Sequence, residues 1–525
     1  MAISETREKA KCALMLYIVA DGTLANFAVY SLKQLQAAAS KQVVVAAQFA
    51  TPKRKIRNLF FDGTNKTASL DEIAKKNAKE IAKEKDENNF HAADNPETLT
   101  KFIDWAHKKC KAERNCLVLW GHGPELLFEP PATSRTSHST TRAGKTRSQK
   151  KPAHAAGHQV ARLYFTPAQL ADALRQAGKK IDLIGLDACS MSMVEFAYEL
   201  HGLGLVDFMV ASQEEVPDFS FPYDSLAKRF GERKGTIEDL CKASVDAYVK
   251  AYRDYIFNDE TNTAPVTLSG LDLRKINTIT DPLKGLAAAL RSSASDKDLA
   301  DAIYSARKEA QGFVGGIFVD ICDFCDKLRG SHGIPNKLKG ACTKVSEAVR
   351  SKNPATGCVV ANGGTRKAVC HGLSLYFPYL RDKHDDKQIE RHLVKGPDAD
   401  TIGKGPDADT IGKGPDADTI GKNVSIVNTA ATNALYAVRR KIIKDTEQYY
   451  KDGLKLNETG WYEFIVRDWS RILAEREQND LDLRYSAQQC AQNLLSSIRK
   501  PEATHEEGKK EPKGPEPPAV KGAAA

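Results

Sequence analysis

The sequence lacks the features of a membrane protein and of a disulfide-stapled secreted domain. No stretch of its 525 residues is apolar enough to cross a bilayer. Its eleven cysteines are an odd number scattered without regular spacing, which favours unpaired thiols in a reducing compartment over a disulfide framework. We therefore expect a cytoplasmic protein, with secretion as the lesser alternative.

The N-terminal segment also lacks a cleavage site that would mark it as a leader. Lys9 and Lys11 precede the apolar run 12–20, and this arrangement imitates a short signal peptide. The run has no convincing small-x-small site, however, and it continues into an Asp-Gly turn and a helical pattern. We interpret residues 12–20 as a first core strand.

Acidic residues are missing from one stretch, 131–160, which holds six Lys or Arg residues and contributes to the net charge of +9. Clustered basic residues can bind nucleic acid by releasing counterions from phosphate. Here Ser, Thr, Gly and Ala fill most of the gaps between them, so the stretch is typical of a solvated loop. We do not expect nucleic acid or a membrane to be a partner.

Short apolar runs separated by helical patterns predict the fold class. The runs 13–20, 42–49, 115–120 and 181–186 are bounded by polar or turn residues. Such alternation indicates an α/β fold with a largely parallel central sheet flanked by helices. The helix predicted from residue 95 starts with Asn-Pro-Glu, a helix start signal.

Two C-terminal segments have no continuous apolar face. The nine-residue sequence GPDADTIGK occurs three times in tandem over residues 396–422, which predicts an exposed, flexible insertion. The last segment, 501–525, is rich in Pro, Lys, Glu and Ala and is predicted to be disordered.

Two of the apolar runs end in reactive side chains. LVLWGHG ends just after His122, and IDLIGLDACSM contains Cys189. Loops at the carboxyl ends of parallel strands build active sites, so neighbouring strands would bring the imidazole and the thiol together. A nearby His raises the thiolate fraction of a Cys and can protonate a leaving amine. The amide of Gly123 could help to hold an oxyanion.

The sequence resembles the clostripain family of caspase-like cysteine peptidases over roughly residues 12–475. The likeness is carried by a combination of segments: LYIVADGTLANFAVYSLKQL, NPETLTKFIDWA, NCLVLWGHG, DLIGLDACSMSMVEFAYEL, VASQEEVPDFSFPYDSL, LSGLDLRKI, FVDICDF, HGLSLYFP and ETGWYEFI. It implies a caspase-like (caspase-hemoglobinase) fold and an endopeptidase that cleaves protein or peptide substrates after exposed Lys or Arg.

The resemblance also implies roles for individual residues. His122 and Cys189 correspond to a catalytic dyad, and Asp187 corresponds to the acidic residue of the primary specificity pocket. Asp218 is a second acidic wall by approximate position. The alternative for Asp187 is a helix N-cap, because Asp is favoured there. Some relatives depend on calcium, but this sequence has no readable ligand set and no certain cofactor.

Members of this family are matured by self-cleavage between the histidine and the cysteine, after a basic residue. The loop at about 131–160 lies in that interval, and Arg147, Lys150 and Lys151 are the favoured sites within it.

The predicted order of domains and segments along the chain is a peptidase domain over 12–395, the repeats at 396–422, the rest of the domain over 423–475, a helical extension over 476–500 and the tail. The alternative function is a catalytically silent scaffold or binding module.

Overall fold

The computed structural model describes residues 9–20, 24–51, 54–83, 95–123, 165, 167–232, 235–255, 266–313, 316–365, 369–379, 455–469 and 472. Several predictions lie outside these residues. They are the basic loop with Arg147, Lys150 and Lys151, the repeats at 396–422, the helical extension at 476–500 and the tail at 501–525. The predicted domain boundaries therefore stay predictions.

An eight-stranded sheet forms the centre of the described fold. Its strands are β1 (Ala10–Val19), β2 (Val43–Thr51), β3 (Arg54–Phe61), β4 (Ala112–Trp120), β5 (Ile181–Asp187), β6 (Val206–Ala211), β7 (Thr267–Asp272) and β10 (Val359–Gly364), in the spatial order β10-β7-β6-β5-β4-β1-β2-β3. The five middle strands, β6, β5, β4, β1 and β2, are parallel to one another. Strands β3, β7 and β10 pair antiparallel at the two sides.

Helices cover both faces of this sheet. The helices are α1 (Leu24–Ala38), α2 (Leu70–Lys83), α3 (Pro96–Lys109), α4 (Pro167–Ala177), α5 (Val194–His201), α6 (Tyr223–Gly231), α7 (Ile237–Tyr255), α8 (Asn277–Ser293), α9 (Lys297–Glu309), α10 (Ile321–Gly330) and α11 (Asn336–Arg350). The predicted start of α3 is confirmed, because the side chain of Asn95 accepts a hydrogen bond from the amide of Glu97 at 2.9 Å. No helix in the described ranges is long and apolar enough to span a bilayer.

Strand β1 shows why the first apolar run is continuous. Ala13, Met15 and Tyr17 pack in the hydrophobic core on one face of the sheet, whereas Leu14 and Leu16 pack in the core on the other face. A strand covered by helices on both sides needs apolar residues at every position. Residues 10–19 are thus part of the folded core, as the sequence predicts, and the α/β fold with its largely parallel central sheet is confirmed.

A second, three-stranded sheet lies beside the first. Its strands β8 (Gly312–Phe313), β9 (Phe318–Asp320) and β11 (Ser374–Tyr376) pair in the order β11-β9-β8. A C-terminal helical segment, 455–469, packs against it: the indole nitrogen of Trp461 donates to the carbonyl of Tyr376 at 2.8 Å. The indole nitrogen of Trp469 donates to the carbonyl of Pro378 at 2.7 Å. These contacts join a distant part of the chain to the main core.

Candidate active site

His122 and Cys189 follow neighbouring parallel strands at the same level. In the register of β4 and β5, Trp120 is opposite Asp187, and the amide of Gly121 donates to the carbonyl of Asp187 at 3.2 Å. His122 and Cys189 each lie two residues beyond this pair, and both are half-buried. Because β4 and β5 run parallel, both residues emerge from the same edge of the sheet, on strands that lie about 4.8 Å apart.

The chain turns sharply after Cys189. Ser190 has a φ of 53°, in the left-handed region that costs a non-glycine residue about 1 kcal/mol. Two backbone bonds hold this turn against the segment after β6: the amide of Ser190 donates to the carbonyl of Glu214 at 2.9 Å, and that of Ser192 to the carbonyl of Ser212 at 2.8 Å. The turn leaves Cys189 partly exposed at the sheet edge.

The thiol of Cys189 contacts the backbone of Val216. The amide of Val216 donates to the sulfur at 3.3 Å, and the sulfur lies 3.8 Å from the carbonyl oxygen of the same residue. Cys189 and Cys370 are the two partly exposed cysteines among the described residues, and the remainder are buried. The predicted nucleophile is therefore one of two described thiols that a substrate could approach.

Asp187 ends β5 with its carboxylate buried, at 2% exposure. Its Oδ2 accepts hydrogen bonds from the hydroxyl of Ser220, from the amide of Phe221 at 3.2 Å and from the phenol of Tyr223 at 2.5 Å. Its Oδ1 is buried and has no hydrogen-bond partner among the described residues. Burial raises the pKa of Asp187 to about 6, and the three hydrogen bonds oppose that rise.

The alternative role for Asp187 as a helix N-cap is wrong. The next helix, α5, begins at Val194, and its N-cap residue is Met193. The side chain of Asp187 turns instead toward residues 220–223, where Ser220 has a φ of 66° and the indole nitrogen of Trp120 donates to its hydroxyl. This carboxylate is thus held by a local network that spans β4, β5 and the start of α6.

Asp218 lies close enough to His122 for their charges to interact. Burial raises the pKa of Asp218 to about 6, and the positive charge of His122 opposes that rise. Asp218 is half-buried. The family resemblance assigned Asp218 to a wall of the specificity pocket, and that role stays a prediction; in the structure its charge interacts with that of His122. Gly123 is buried directly after His122, and its oxyanion role stays a prediction.

A second cluster of Asp, Cys and His is the one group in the described ranges that could hold a metal ion. It consists of Asp320, Cys322 and His371. Asp320 already accepts from the amides of Cys322 and Asp323 at 3.0 Å each, and its Oδ1 lies 2.9 Å from His371 Nδ1. Burial raises the pKa of the Cys322 thiol well above its usual range, so a thiolate ligand is disfavoured. The cluster caps α10, and its donor set is unsuited to calcium, which takes oxygen ligands.

Several residues of the site were missed by sequence reasoning. Ser220 and Tyr223 bind Asp187, Thr267 braces the segment after β6, and Tyr248 lies near the charges of Asp187 and Cys189. Ser220 and Tyr223 fall in the quoted segment VASQEEVPDFSFPYDSL, so their position directly after strand β6 was the available signal. Thr267 and Tyr248 carried none, because only tertiary packing brings β7 and α7 to this edge.

Comparison with known proteins identifies the family. The model of the clostripain family matches residues 16–385. The chain belongs to the clostripain family. Membership of this family supports a cysteine peptidase, and the family resemblance read from the sequence is confirmed. A search of curated proteins gave no match.

Two solved structures are similar to this clostripain-family chain at low identity. A secreted C11 cysteine protease from Bacteroides thetaiotaomicron is 14% identical, with a TM-score of 0.47, over 72% of this chain and 97% of that one. An inactive zymogen C11 protease from Parabacteroides distasonis is 17% identical, with a TM-score of 0.43, over 73% of this chain and 95% of that one.

Proposed function

We propose that the chain is a cysteine endopeptidase that cleaves after Lys or Arg, with Cys189 as nucleophile and His122 as its proton-transfer partner. The observation that carries the proposal is the strand register, which sets both residues two positions beyond the Trp120–Asp187 pair on adjacent parallel strands. Neither side chain is fully buried, so both are open to a substrate.

The chemistry follows from these two groups. His122 takes the thiol proton, and the Cys189 thiolate attacks the carbonyl carbon of the peptide bond. His122 then gives the proton to the departing amine, which leaves an acyl-enzyme that water hydrolyses with the imidazole as base. The amide of Gly123 supplies a donor for the developing oxyanion.

Preference for basic substrates is supported by Asp187. Its Oδ2 accepts three hydrogen bonds, whereas the buried Oδ1 has no partner among the described residues. An ammonium or guanidinium group would satisfy that oxygen and pair with the carboxylate charge. Asp218, beside His122, adds a second negative charge to the same edge. A substrate anchored in this way would present its carbonyl to Cys189.

The family resemblance extends the proposal to maturation, and the cysteine content of the sequence extends it to cellular location. Self-cleavage would occur in the loop at about 131–160, with Arg147, Lys150 and Lys151 as the favoured positions, so the newly made chain would be a zymogen. Cytoplasmic location follows from the cysteine pattern. Calcium dependence is carried by the resemblance alone, and no step above uses it.

The experiment compares purified wild type with Cys189→Ala on peptide reporters that end in Lys, Arg or Leu. Wild type should hydrolyse the basic reporters and split within 131–160, as read by mass spectrometry of the fragments, and Cys189→Ala should do neither. A folded wild type that stays intact and hydrolyses none of the reporters would instead support a catalytically silent scaffold.

A further inference from the structure

The segment 212–216, which follows β6, contacts Cys189 through the backbone of Val216. The amide of Val216 donates to the Cys189 sulfur at 3.3 Å, and the carbonyl of Glu214 accepts from the amide of Ser190 at 2.9 Å. A thiol can donate a proton to an acceptor, whereas a thiolate can only accept hydrogen bonds. The amide, at 3.3 Å, favours the thiolate, which is the reactive form, and it is closer to the sulfur than the Val216 carbonyl oxygen, at 3.8 Å, which favours the thiol.

One hydroxyl from another strand contacts three consecutive residues of the 212–216 segment. Thr267 begins β7 and is fully buried, and its Oγ1 accepts from the amides of Gln213 and Glu214 at 3.0 Å each. Its hydroxyl also lies 3.0 Å from that of Ser212, which donates to the carbonyl of Glu214 at 2.8 Å. Because the single hydroxyl proton of Ser212 is used in the bond to Glu214, Thr267 must be the donor in the hydrogen bond between the two hydroxyls. Thr267 thus uses its proton and two acceptor positions on this segment.

We infer that Thr267, with Ser212, is a positioning residue that aims the Val216 amide at the Cys189 sulfur and so raises the thiolate fraction of the nucleophile. That Cys189 is a nucleophile rests on the proposed function, whereas the effect of Thr267 on the ionisation of the Cys189 thiol can be measured without any substrate. Thr267 binds residues 212–214 and acts through the backbone of the 212–216 segment.

Other titratable groups lie near the thiol in the sheet or along the chain, and the test must leave them unchanged. Tyr248 and Tyr252 on α7 interact electrostatically with Cys189. The others are His122 after β4, Asp187 at the end of β5, and Glu214, Glu215 and Asp218 in or just after the 212–216 segment. Burial raises the pKa of both tyrosines well above the usual range, so they stay neutral near pH 7. All these side chains are retained in every variant below.

The experiment measures the rate of Cys189 alkylation by iodoacetamide against pH in the full chain, with the Cys189-containing peptide quantified by mass spectrometry. Iodoacetamide reacts with the thiolate, whose sulfur displaces iodide. Thr267→Val keeps the side-chain shape and removes the hydroxyl. We expect the alkylation midpoint to rise by about half to one pH unit, with a rate near pH 6.5 about three- to tenfold lower.

Three further variants sharpen the result. Thr267→Ser keeps the hydroxyl and should restore the wild-type midpoint. Ser212→Ala removes the second hydroxyl and should shift the midpoint in the same direction as Thr267→Val. Thr365→Val is the matched control, because its hydroxyl accepts from the amide of Val266, the residue before β7, at 3.2 Å and is thus a second threonine hydroxyl bound to backbone near Thr267. It should leave the midpoint unchanged.

The outcomes separate this inference from the proposed function. A folded Thr267→Val with the wild-type midpoint would overturn the inference, even if the wild type cleaves basic reporters. If Thr267→Val does not fold, the alkylation midpoint of Ser212→Ala is the test, and a wild-type midpoint in that variant would overturn the inference. If the midpoint shifts while the wild type cleaves no peptide, the positioning role stands and the peptidase proposal fails.

Discussion

Two regions of this molecule carry an Asp and a Cys in the same local spacing, each with a histidine contributed by another part of the chain. Asp187 and Cys189 are separated by one residue at the end of β5, and Asp320 and Cys322 are separated by one residue at the end of β9. Each pair has a histidine from elsewhere in the chain nearby. In the first region the thiol is half-buried at the edge of the large sheet, whereas in the second it is fully buried.

The difference lies in what each aspartate binds. The Oδ1 of Asp320 accepts from the amides of Cys322 and Asp323, so the chain enters α10 at once and the cysteine is drawn into its first turn. A helix N-terminus favours a thiolate, but here burial wins and raises the pKa of Cys322. Asp187 binds residues 220–223 instead, and its cysteine is left at an open turn. Spacing alone therefore does not make a nucleophile.

Removal of the histidines should give the largest contrast. We expect His122→Ala to lower kcat/KM for a basic reporter by at least about 10³-fold, because the proton-transfer partner is lost. His371→Ala should keep kcat/KM within a few-fold of wild type and lower the unfolding midpoint, since His371 binds the cap residue Asp320. Loss of activity in a folded His371→Ala would reverse the assignment of the two regions.

Substitution of the two aspartates should give the second largest contrast, which we expect in substrate binding. Asp187→Asn removes the charge that would pair with a substrate cation while it keeps the size of the side chain, so KM for Lys and Arg reporters should rise about 10- to 100-fold. Asp320→Asn is the matched change and should leave KM unaltered. Steady-state kinetics of both variants checks this, and an unchanged Lys or Arg preference in Asp187→Asn would remove its specificity role.

Glu195, on α5 between the two regions, should show its effect in the pH dependence of stability. It is fully buried, its Oε1 accepts from the amide of Tyr376 at 2.9 Å, and burial raises its pKa from an ordinary 4.5 to about 7. The neutral carboxyl group is favoured in the folded state. The contribution of Glu195 to the free energy of unfolding is therefore most favourable below pH 4.5 and is lost as pH rises through 7. Glu195→Gln should therefore raise the free energy of unfolding by about 1 to 2 kcal/mol at pH 8.

Denaturant unfolding of wild type and Glu195→Gln at pH 8 and at pH 4.5 tests this sign. The difference between the two proteins should be small at the lower pH, where the wild-type carboxyl group is protonated in the folded state. A difference of equal size at both pH values would show that the gain comes from packing and not from ionisation.

Substitution of the two cysteines should give the smallest contrast, which we expect in the free energy of unfolding. Cys322→Ala removes a fully buried thiol and should lower the free energy of unfolding by about 1 kcal/mol without loss of activity. Cys189→Ala removes a half-buried thiol and should change stability by less than that, although activity is lost. Parallel denaturant titrations check the pair, and equal destabilisation would mean that Cys189 is also a packing residue.

The sequence by itself determined the sheet's central strands, the helix that begins after Asn95 and the two strand ends that carry His122 and Cys189. These follow from local patterns, because a strand covered on both faces must be apolar throughout and Asn before Pro-Glu favours a helix start. Tertiary structure alone decided the antiparallel strands β3, β7 and β10, the hydrogen bonds of Asp187 and the contact of Val216 with the Cys189 sulfur. Each of these depends on residues far apart in the chain, such as Thr267 against Ser212, whose meeting is fixed by packing and leaves no local pattern to read.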